Sequence, residues 1–597
     1  MNPAPSATAD RGFPLIAAAG LTVAATLAVY LPALRVNFLG DDFMILHRLR
    51  SLERATDVLR FFRGEFFEYY RPLGFVSHAV DWAIAGQEPR QFHLTNILIH
   101  VINTLLVLWI GRALSPRALA GPLAAALFAL HASNNEAVVW MSARFDLLAT
   151  CFALAAVGWM VRAWRGNPWV PALLFLCAVL SKEAAVAMPI VAAAWSSFRM
   201  RDSTARTIAR VAPWLGALVV YSVLRQVAGG VSAVGGASRI PKLLAFGTAV
   251  VAIAAMSGGR WEQLRDWLRP RRWPIATILL AALVASTLAA ALFQGPLGTL
   301  AREKLSVAGF ATFYLTSPVL NPGDAVFNGP SESLPWIVGA VTLLVVIAVI
   351  VWLWHRLLDD SRFWFLGAFL AATLLPVSAL TEGKRYLYLP SAAMALILAI
   401  LIVESHRRWR RVALVAAAGM LVVSAVQIAV KVGDWRWAGQ MTAEGSRLVD
   451  STLAPSCGSG HVVFLTSPVG IRGVYSHFYY ETFEVPRGCM PEVFQVVVRV
   501  LLRDEPIAVY WDGPGQIDIT TSAYRENFRV SRDLRAFDVP LRADDRLSIA
   551  TPLGDLIGEA SGGVARLTLR LTPEAQRQPI HFFYYSGGRV QALGPPR

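Results

Sequence analysis

Long apolar runs separated by short arginine-rich segments are the feature that most constrains how this chain can fold. The hydrocarbon core of a bilayer is about 30 Å thick, so a helix needs roughly 20 apolar residues to cross it. About thirteen stretches approach that length, and they lie near residues 13–35, 93–111, 118–131, 146–164, 168–181, 184–198, 211–228, 241–256, 274–293, 334–354, 363–380, 386–403 and 412–431. Charged residues make up 16% of the chain, whereas soluble proteins carry about 25%. The sequence therefore predicts an α-helical polytopic membrane protein with about 13 transmembrane helices.

The distribution of arginine sets the predicted orientation. The chain carries 55 Lys and Arg against 40 Asp and Glu, a net charge of +15. If the N-terminus is cytoplasmic, about twenty arginines fall in the inner loops and about seven cations in the short outer loops. Cytoplasmic loops are enriched in Lys and Arg, so we expect a multi-pass inner (cytoplasmic) membrane protein with this orientation and an outer C-terminal region. Cations confined to short loops indicate topology and do not predict nucleic acid binding.

Two outer loops and a C-terminal region exceed tight turns. We expect a transmembrane domain over 1–432 that contains a first outer loop at 36–92 and a second at 294–333. Residues 433–597 alternate apolar and polar side chains in "HVVFLTS", "IAVYWDG" and "ARLTLRLT", which is typical of strands and predicts a β-rich periplasmic domain. In an oxidising compartment Cys457 and Cys489 form a candidate disulfide; two free thiols are the equal alternative.

The first ionisable cluster follows the first span. Asp41 and Asp42 stand in "NFLGDDF", and a half-dry carboxylate can accept a proton from a hydroxyl nucleophile. The alternative is that the pair caps a helix. Further along the first loop, Arg71 lies in an aromatic, amphipathic segment that Pro72 is expected to break. That segment is typical of a helix at the membrane surface, and interfacial anchoring is its simplest explanation.

Three further clusters lie at the outer ends of later spans. The segment "ALHASNNEAVVWMSARFDLLA" interrupts two apolar runs, and polar backbone at that depth is tolerated where it lines a cavity. "LSKEAAVAMP" offers a local ion pair, and "KRYLYLP" places two cations before aromatic residues, which suits a phosphate at headgroup level or a snorkelling anchor. The residues singled out are His131, Glu136, Arg144, Asp146, Lys182, Glu183, Lys384, Arg385, Tyr386 and Tyr388.

Metal and nucleotide chemistry have no support in the sequence. The histidines lack the paired spacing of a zinc site, and the inner loops contain no phosphate-binding glycine motif. His93 and Asn96, in "FHLTNILIH", are expected to support the site through hydrogen bonds. We therefore predict no metal site and no required cofactor, and a divalent metal remains without support.

Five segments in order resemble a known family: "GDDF", "YRPLGFVSHAVDWAIAGQEPRQFHLTNILIHVINTLLV", "LFALHASNNEAVVWMSARFDLLAT", "LSKEAAVAMPIV" and "KRYLYLPSAA". Over about residues 13–400 the chain resembles the transmembrane O-mannosyltransferases that normally carry tetratricopeptide repeats, and their bacterial relatives. These belong to the GT-C glycosyltransferases, which include protein O-mannosyltransferases and the aminoarabinose transferase of lipid A. Each motif is weakly specific by itself, but the ordered set is fairly specific.

The resemblance implies a polytopic glycosyltransferase of the cell envelope with its active site on the non-cytoplasmic face. It implies a polyprenyl-phosphate-linked sugar donor, undecaprenyl in a bacterium, and a hydroxyl acceptor on a protein, glycan or lipid. For the sugar, the resemblance implies mannose or another hexose or pentose. By analogy Asp41 is the general base with Asp42 assisting, and transfer inverts the anomeric carbon. Donor phosphate binding is implied for Arg385 and Lys384, with Arg71 and Arg144 as further cations.

The chain also departs from the family pattern. A His-Pro pair and a Thr-Glu pair are usual in the family, but Ala132 and Asn135 stand at those positions, and Lys384 replaces a usual Glu. The chain shows no tetratricopeptide repeats and no Trp-Trp-Asp motif, which disfavours en bloc transfer of an N-glycan. Two rival functions stay open: a transporter or flippase for lipid-linked sugars, and a non-catalytic assembly protein of the cell envelope.

Overall fold

A computed structural model describes most of the helical region and the strands of the C-terminal region. The described residues are 15–39, 41–64, 70–228, 253, 256–293, 295–316, 334–376, 384–453, 461–468, 492–500, 507–521, 528–530, 539–541, 546–551, 553–561, 564–578, 580–586 and 589–594. Cys457 and Cys489, the candidate disulfide, lie outside them.

The helical region contains helices that we label in chain order. They are α1 (Leu15–Tyr30), α2 (Asp41–Arg50), α3 (Pro72–Ala85), α4 (Pro89–Leu114), α5 (Ala120–Ala129), α6 (Asn135–Val139), α7 (Arg144–Ala163), α8 (Trp169–Ser181), α9 (Met188–Ala194), α10 (Thr204–Val227), α11 (Arg260–Leu268), α12 (Arg272–Leu292), α13 (Pro296–Thr316), α14 (Leu334–Trp352), α15 (Trp354–Asp359), α16 (Ser361–Leu374), α17 (Tyr388–Val403) and α18 (Arg407–Leu453). Short 3-10 segments include Ala55–Arg63, Met141–Ala143 and Lys384–Leu387.

Apolar helices confirm a multi-pass membrane protein, but the count of thirteen spans is not confirmed. Among the described residues, seven helices are long and apolar enough to cross a bilayer, and four shorter apolar helices have 10–17 residues. The expected spans at 118–131 and 184–198 contain α5 with 10 residues and α9 with 7. The polar segment from His131 follows α5, whereas α9 begins only at Met188 and continues as a π-helix over Trp195–Arg199. Apolar length in the sequence therefore exceeds α-helix length. The expected span at 241–256 lies almost wholly outside the described residues.

Both outer loops contain helices. The second expected loop, 294–333, contains the 21-residue helix α13, which packs against α12 and α14. Gly309 and Gly339 meet at the contact with α14, where a Cβ on Gly309 would lie 2.0 Å from the Gly339 Cα. In the first loop, Pro72 is the first residue of α3, where its fixed φ suits the helix and its missing N–H costs nothing. The sequence predicted that Pro72 breaks a helix; in the structure Pro72 begins helix α3, which packs against its neighbours.

The C-terminal region contains two main β-sheets, which confirms its predicted β content. The strands are β1 (His461–Pro468), β2 (Glu492–Val500), β3 (Ile507–Trp511), β4 (Gln516–Thr521), β5 (Phe528–Val530), β6 (Val539–Leu541), β7 (Arg546–Thr551), β8 (Gly554–Ser561), β9 (Val564–Leu571), β10 (Ile580–Ser586) and β11 (Arg589–Leu593). One sheet has the order β11-β10-β1-β2, with β1 parallel to both neighbours, and the other is antiparallel in the order β3-β4-β9-β8-β7. The 47-residue helix α18 continues past the expected boundary at 433.

The β-sheets dock against the first outer loop. Adjacent residues of β10 point to opposite faces: Phe582 lies in the core between the sheets, while Phe583 is fully buried in a cluster with Phe43 and Phe75 of the first loop. Nearby, the Asn37 side chain donates a hydrogen bond of 3.3 Å to the carbonyl of Gly439 in α18. The C-terminal region is therefore packed on the segment that carries the aspartate pair.

This docking predicts a stability effect for Phe583→Ala. Because Phe583 is fully buried, its truncation should destabilise the protein by about 3–5 kcal/mol. The measurement is the thermal unfolding midpoint of the purified protein in detergent. Tyr510→Ala, at a side chain that is 40% exposed on β3, is the control and should change stability by less than about 0.5 kcal/mol. Equal midpoints for the two variants would contradict the docking.

Candidate active site

Asp42 anchors the start of α2 to the segment before α7. Its Oδ2 accepts a hydrogen bond from the Leu39 amide at 2.9 Å, and its Oδ1 accepts from the amide and hydroxyl of Ser142 at 2.9 and 2.5 Å. The side chain is 1% exposed. Burial raises the pKa of Asp42 to about 7, against the lowering effect of the Ser142 and Leu39 hydrogen bonds. Both carboxylate oxygens of Asp42 thus accept hydrogen bonds from the protein. This arrangement is typical of a helix cap, the alternative considered from the sequence.

Asp41, its neighbour, faces a group of cations. It is half-buried in the first turn of α2. Burial raises its pKa, whereas the charges of Arg385, Arg71 and Lys182 lower it. The adjacent aspartates thus have different surroundings, one committed to backbone and hydroxyl donors and the other next to three positive charges. A carboxylate with a raised pKa beside cations is typical of an active site.

The three cations that act on Asp41 each form an ion pair with a carboxylate, and each pair joins segments far apart in the sequence. The pairs are Arg71–Glu183, Lys182–Asp146 and Arg385–Glu136. They bring together the first outer loop, the ends of α7 and α8, and the segment before α17. All six residues were predicted for the site, and the structure places them in one cluster.

Arg385 is held by Glu136 and two aromatic rings. Its Nη1 donates to Glu136 Oε1 at 2.7 Å, and its Nη2 donates to the Tyr386 hydroxyl at 3.1 Å. The guanidinium carbon lies 4.7 Å from the ring centres of both Trp140 and Tyr386. The other oxygen of Glu136 accepts the backbone amide of Lys384 at 2.9 Å. Glu136 therefore holds the guanidinium of Arg385 with one carboxylate oxygen and the backbone of Lys384 with the other.

Lys182 is buried against Asp146. Its Nζ donates to both carboxylate oxygens at 2.7 Å and lies 4.7 Å from the centre of the Tyr386 ring. Burial lowers the pKa of Lys182 to about 8, an effect that the Asp146 charge opposes. Tyr386 contacts both this ammonium and the Arg385 guanidinium. The aromatic ring between two cations stabilises both through its negative face.

Arg71 forms a forked pair with Glu183. Its Nε and Nη2 donate to the two carboxylate oxygens at 2.9 and 2.6 Å, and its guanidinium lies 5.6 Å from the centre of the Phe145 ring. Burial opposes ionisation of Glu183, but the charge and hydrogen bonds of Arg71 hold its pKa at about 2. The sequence suggested a local ion pair between Glu183 and its neighbour Lys182. In the structure Glu183 pairs instead with Arg71 of the first outer loop.

Arg144 is placed differently from the other predicted cations. It is fully buried and forms an ion pair with Asp81. Its Nε donates to Asn96 Oδ1 at 2.7 Å, and its two terminal nitrogens donate to the carbonyls of Phe92 at 2.6 Å and Ser77 at 3.2 Å. Its donors are thus used to join α3, α4 and α7, which argues against the phosphate-binding role that we predicted for Arg144.

This placement predicts that Arg144→Ala acts on stability. The substitution leaves Asp81 as a buried charge without its partner, which should cost about 3–5 kcal/mol. The thermal midpoint and the folded yield should fall, while the KM for the donor of the folded fraction stays unchanged. Arg90→Ala is the matched control, because the Arg90 side chain is 73% exposed at the start of α4. A stable variant with a selectively raised donor KM would restore a phosphate-binding role.

The remaining predicted residues are buried in the helix packing beside the cluster. His131 Nδ1 contacts the Ser133 hydroxyl at 2.6 Å at the end of α5, and the Tyr388 hydroxyl contacts His100 Nδ1 at 2.6 Å. His93 is buried in α4. These side chains support the segments that carry the site. A metal site is not indicated, since the described residues contain no group of three or more His, Cys, Asp or Glu placed to hold an ion.

Trp140 and Ser142 belong to the site but were missed in the sequence. Trp140 contacts Arg385, and Ser142 binds Asp42. A tryptophan at the end of an apolar run indicates core packing, and a single serine carries no pattern. Their position in the sequence could have indicated them, because both residues lie between the polar segments "SNNE" and "ARFD" that were assigned to the site.

Comparison with known proteins identifies glycosyltransferases as similar to the chain, and no family model matches it. It is 30% identical over 185 residues to protein O-mannosyl-transferase Tmtc1 of Drosophila melanogaster, which covers 28% of this chain and 21% of that protein. It is 28% identical over 194 residues to protein O-mannosyl-transferase TMTC2 of Mus musculus, 29% of this chain and 23% of that protein. The chain thus spans about a fifth of the length of these curated relatives. The predicted resemblance to O-mannosyltransferases is confirmed.

Two solved structures show weaker similarity. The apo oligosaccharyltransferase of Archaeoglobus fulgidus aligns over 81% of this chain and 61% of its own, with a TM-score of 0.44 and 14% identity. ArnT from Cupriavidus metallidurans, bound to undecaprenyl phosphate, aligns over 80% of this chain and 92% of its own, with a TM-score of 0.33 and 13% identity.

Proposed function

We propose that the protein is a membrane glycosyltransferase that moves a sugar from a polyprenyl-phosphate donor to an acceptor hydroxyl with inversion. One observation carries this proposal. Arg71, Lys182 and Arg385 each form an ion pair with a carboxylate of their own. Asp41 is a fourth carboxylate, and all three positive charges stabilise its ionised form. A base beside preorganised cations is what direct displacement of a sugar phosphate requires.

Asp41 takes the role of general base. It accepts the proton of the acceptor hydroxyl while that oxygen attacks the anomeric carbon from the face opposite the phosphate. The bond from the anomeric carbon to the phosphate oxygen breaks, and the electron pair leaves with the polyprenyl phosphate. A base of this kind must be ionised before the reaction, and the charges of Arg385, Arg71 and Lys182 favour that form. Positioned proton transfer contributes roughly 10²- to 10⁴-fold.

The cations stabilise the leaving phosphate. Negative charge on the phosphate grows as the bond breaks, and fixed donors in a water-poor site stabilise that charge without reorganising. Arg71 is held by a forked pair with Glu183 and by the Phe145 ring. Arg385 is held by Glu136, the Tyr386 hydroxyl and the Trp140 ring, so the orientation of both guanidinium groups is set before the donor binds. Lys182 adds a compact ammonium, and Lys384 a further cation in the same segment. This scheme requires no metal ion.

The direction of the site in the membrane follows from the arginine distribution. α7 and α17 both begin at the cluster, with Arg144 and Tyr388. Their far ends are followed by Arg165 and by the run from Arg407. Since basic loops face the cytoplasm, we place the cluster on the non-cytoplasmic face of the inner membrane, together with the C-terminal β-sheets. Those sheets pack on the first outer loop through Phe583, which supports a role beside the acceptor, whether protein, glycan or lipid.

The test is product formation by the purified protein in detergent. The donor is radiolabelled polyprenyl-phosphate mannose, chosen because the relatives are O-mannosyl-transferases, with other sugars in parallel. Membrane lipids, glycans and envelope proteins serve as acceptors, and both labelled product and released polyprenyl phosphate are measured. A flippase would move the lipid-linked sugar across a proteoliposome membrane without forming either product, and that result would overturn the proposal.

A further inference from the structure

Trp140 contacts both halves of the proposed site. Its indole Nε1 donates to the carbonyl of Leu39 at 3.3 Å, two residues before Asp41. The guanidinium carbon of Arg385 lies 4.7 Å from the centre of its ring system. The side chain is only 6% exposed. One rigid aromatic group therefore touches the segment that carries the base and the cation that faces the donor phosphate.

Ser142 makes a second contact with the same segment. Its amide and hydroxyl bind the carboxylate of Asp42 at 2.9 and 2.5 Å. Trp140 binds the chain at Leu39, before Asp41, and Ser142 binds it at Asp42, after Asp41. The Leu39 carbonyl on one side of Asp41 and the Asp42 carboxylate on the other are thus attached to one short segment, residues 140–142, which we call the bracket. Two attachments define both the position and the direction of the residue between them.

The bracket is itself held from α18. Trp435 stacks on Trp140 with ring centres 6.2 Å apart and an interplanar angle of 29°. The indole nitrogen of Trp435 also donates to Asn135 Oδ1 at 2.9 Å, at the start of α6. The packing of large aromatic side chains limits their movement, so Trp140 has little freedom to shift relative to α6. The bracket therefore connects Asp41, Arg385 and α18 as one unit.

We propose that Trp140 and Ser142 are positioning residues that fix Asp41 relative to Arg385 in the transferase site. This inference rests on the proposed function. Contact with the Trp140 ring covers a face of the guanidinium and leaves its in-plane N–H donors for carboxylate and phosphate oxygens. Correct placement of a base matters because a shift of about 1 Å can cost roughly 100-fold in rate. Neither residue touches the reacting atoms, and both act through Asp41 and Arg385.

Two conservative substitutions separate positioning from general packing. Trp140→Phe keeps an aromatic ring but removes the donor to Leu39, and Ser142→Ala keeps the amide but removes the hydroxyl donor to Asp42. In both variants Asp41 should move away from the cations that lower its pKa. Its pKa should rise, and because the base works when deprotonated, the acidic limb of the kcat/KM profile should shift to higher pH. We expect kcat to fall roughly 10- to 100-fold.

The experiment measures pH–rate profiles and amide hydrogen exchange on the same purified proteins in detergent. Faster exchange across residues 36–46 in both variants, with a shifted acidic limb, is the expected result. Trp352→Phe is the matched control, since Trp352 is 79% exposed at the end of α14. Unchanged hydrogen exchange across residues 36–46 would show that the bracket does not hold this segment. A lower kcat with an unshifted acidic limb would show that the bracket contributes only to packing, and would overturn the positioning proposal. If the folded wild-type protein forms no product, the proposed function and the rate-based part of this inference fail, while hydrogen exchange still decides whether residues 140–142 hold the segment.

Discussion

Replacing Asp41 with asparagine is expected to lower sugar transfer by roughly 10²- to 10⁴-fold, the usual contribution of a positioned general base. Asparagine has nearly the same shape but cannot take the proton of the acceptor hydroxyl. The measurement is kcat with a radiolabelled polyprenyl-phosphate sugar and saturating acceptor. Because Asp41 is half-buried in the first turn of α2, the fold should be retained, and the thermal midpoint should stay near that of the wild type.

Asp42→Asn is the matched control for this prediction. Asp42 accepts hydrogen bonds from Leu39 and Ser142, and an amide group must turn an N–H toward one of those donors. Leaving a buried donor unsatisfied costs about 1–3 kcal/mol. We therefore expect Asp42→Asn to lower the thermal midpoint and to reduce turnover per folded molecule less than Asp41→Asn does. Wild-type turnover in Asp41→Asn would remove Asp41 as the base, and a larger loss in Asp42→Asn would exchange the two roles.

Arg385→Ala is expected to have the second-largest effect, a fall of roughly 10²- to 10³-fold in kcat/KM for the donor, as for other preorganised charge-stabilising donors. The loss should fall on the donor and not on the acceptor, because the proposed partner of Arg385 is the leaving phosphate. Initial rates at varied donor and fixed acceptor, and the reverse, separate the two. Unchanged donor dependence would contradict the phosphate-binding role.

Two companion variants control for the pairing of Arg385 with Glu136. Removing the arginine leaves Glu136 almost fully buried without its cation, which by itself destabilises the protein. The double variant Arg385→Ala with Glu136→Gln removes that uncompensated charge, so any donor defect that remains belongs to Arg385. Arg385→Lys keeps a positive charge but loses the forked donors and the flat contact with Trp140. We expect Arg385→Lys to recover stability and only part of the donor use.

The positions of the site residues were largely predictable from the sequence. Burying a charged group at membrane depth costs free energy, so such groups are rare there and usually functional. Asp41, Arg71, Lys182 and Arg385 stand out for that reason. Their partners were not predictable. Arg71 pairs with Glu183 across 112 residues and Arg385 with Glu136 across 249 residues, and no local spacing rule reaches that far. Arg144 shows the converse: its sequence context matches that of the other cations, but its donors form hydrogen bonds inside the protein, which the sequence did not indicate.

The sequence by itself determined that this is a multi-pass helical membrane protein with a β-containing C-terminal region, because apolar length and strand alternation are local properties set by the solvent each segment meets. Tertiary packing decided how many apolar runs are long helices, and it turned half of the expected loop at 294–333 into helix α13. It also decided which of two adjacent aspartates faces the cations. Asp41 and Asp42 are equivalent as sequence. Folding distinguishes them, because Ser142 donates hydrogen bonds from another segment to Asp42 while the charges of Arg385, Arg71 and Lys182 act on Asp41.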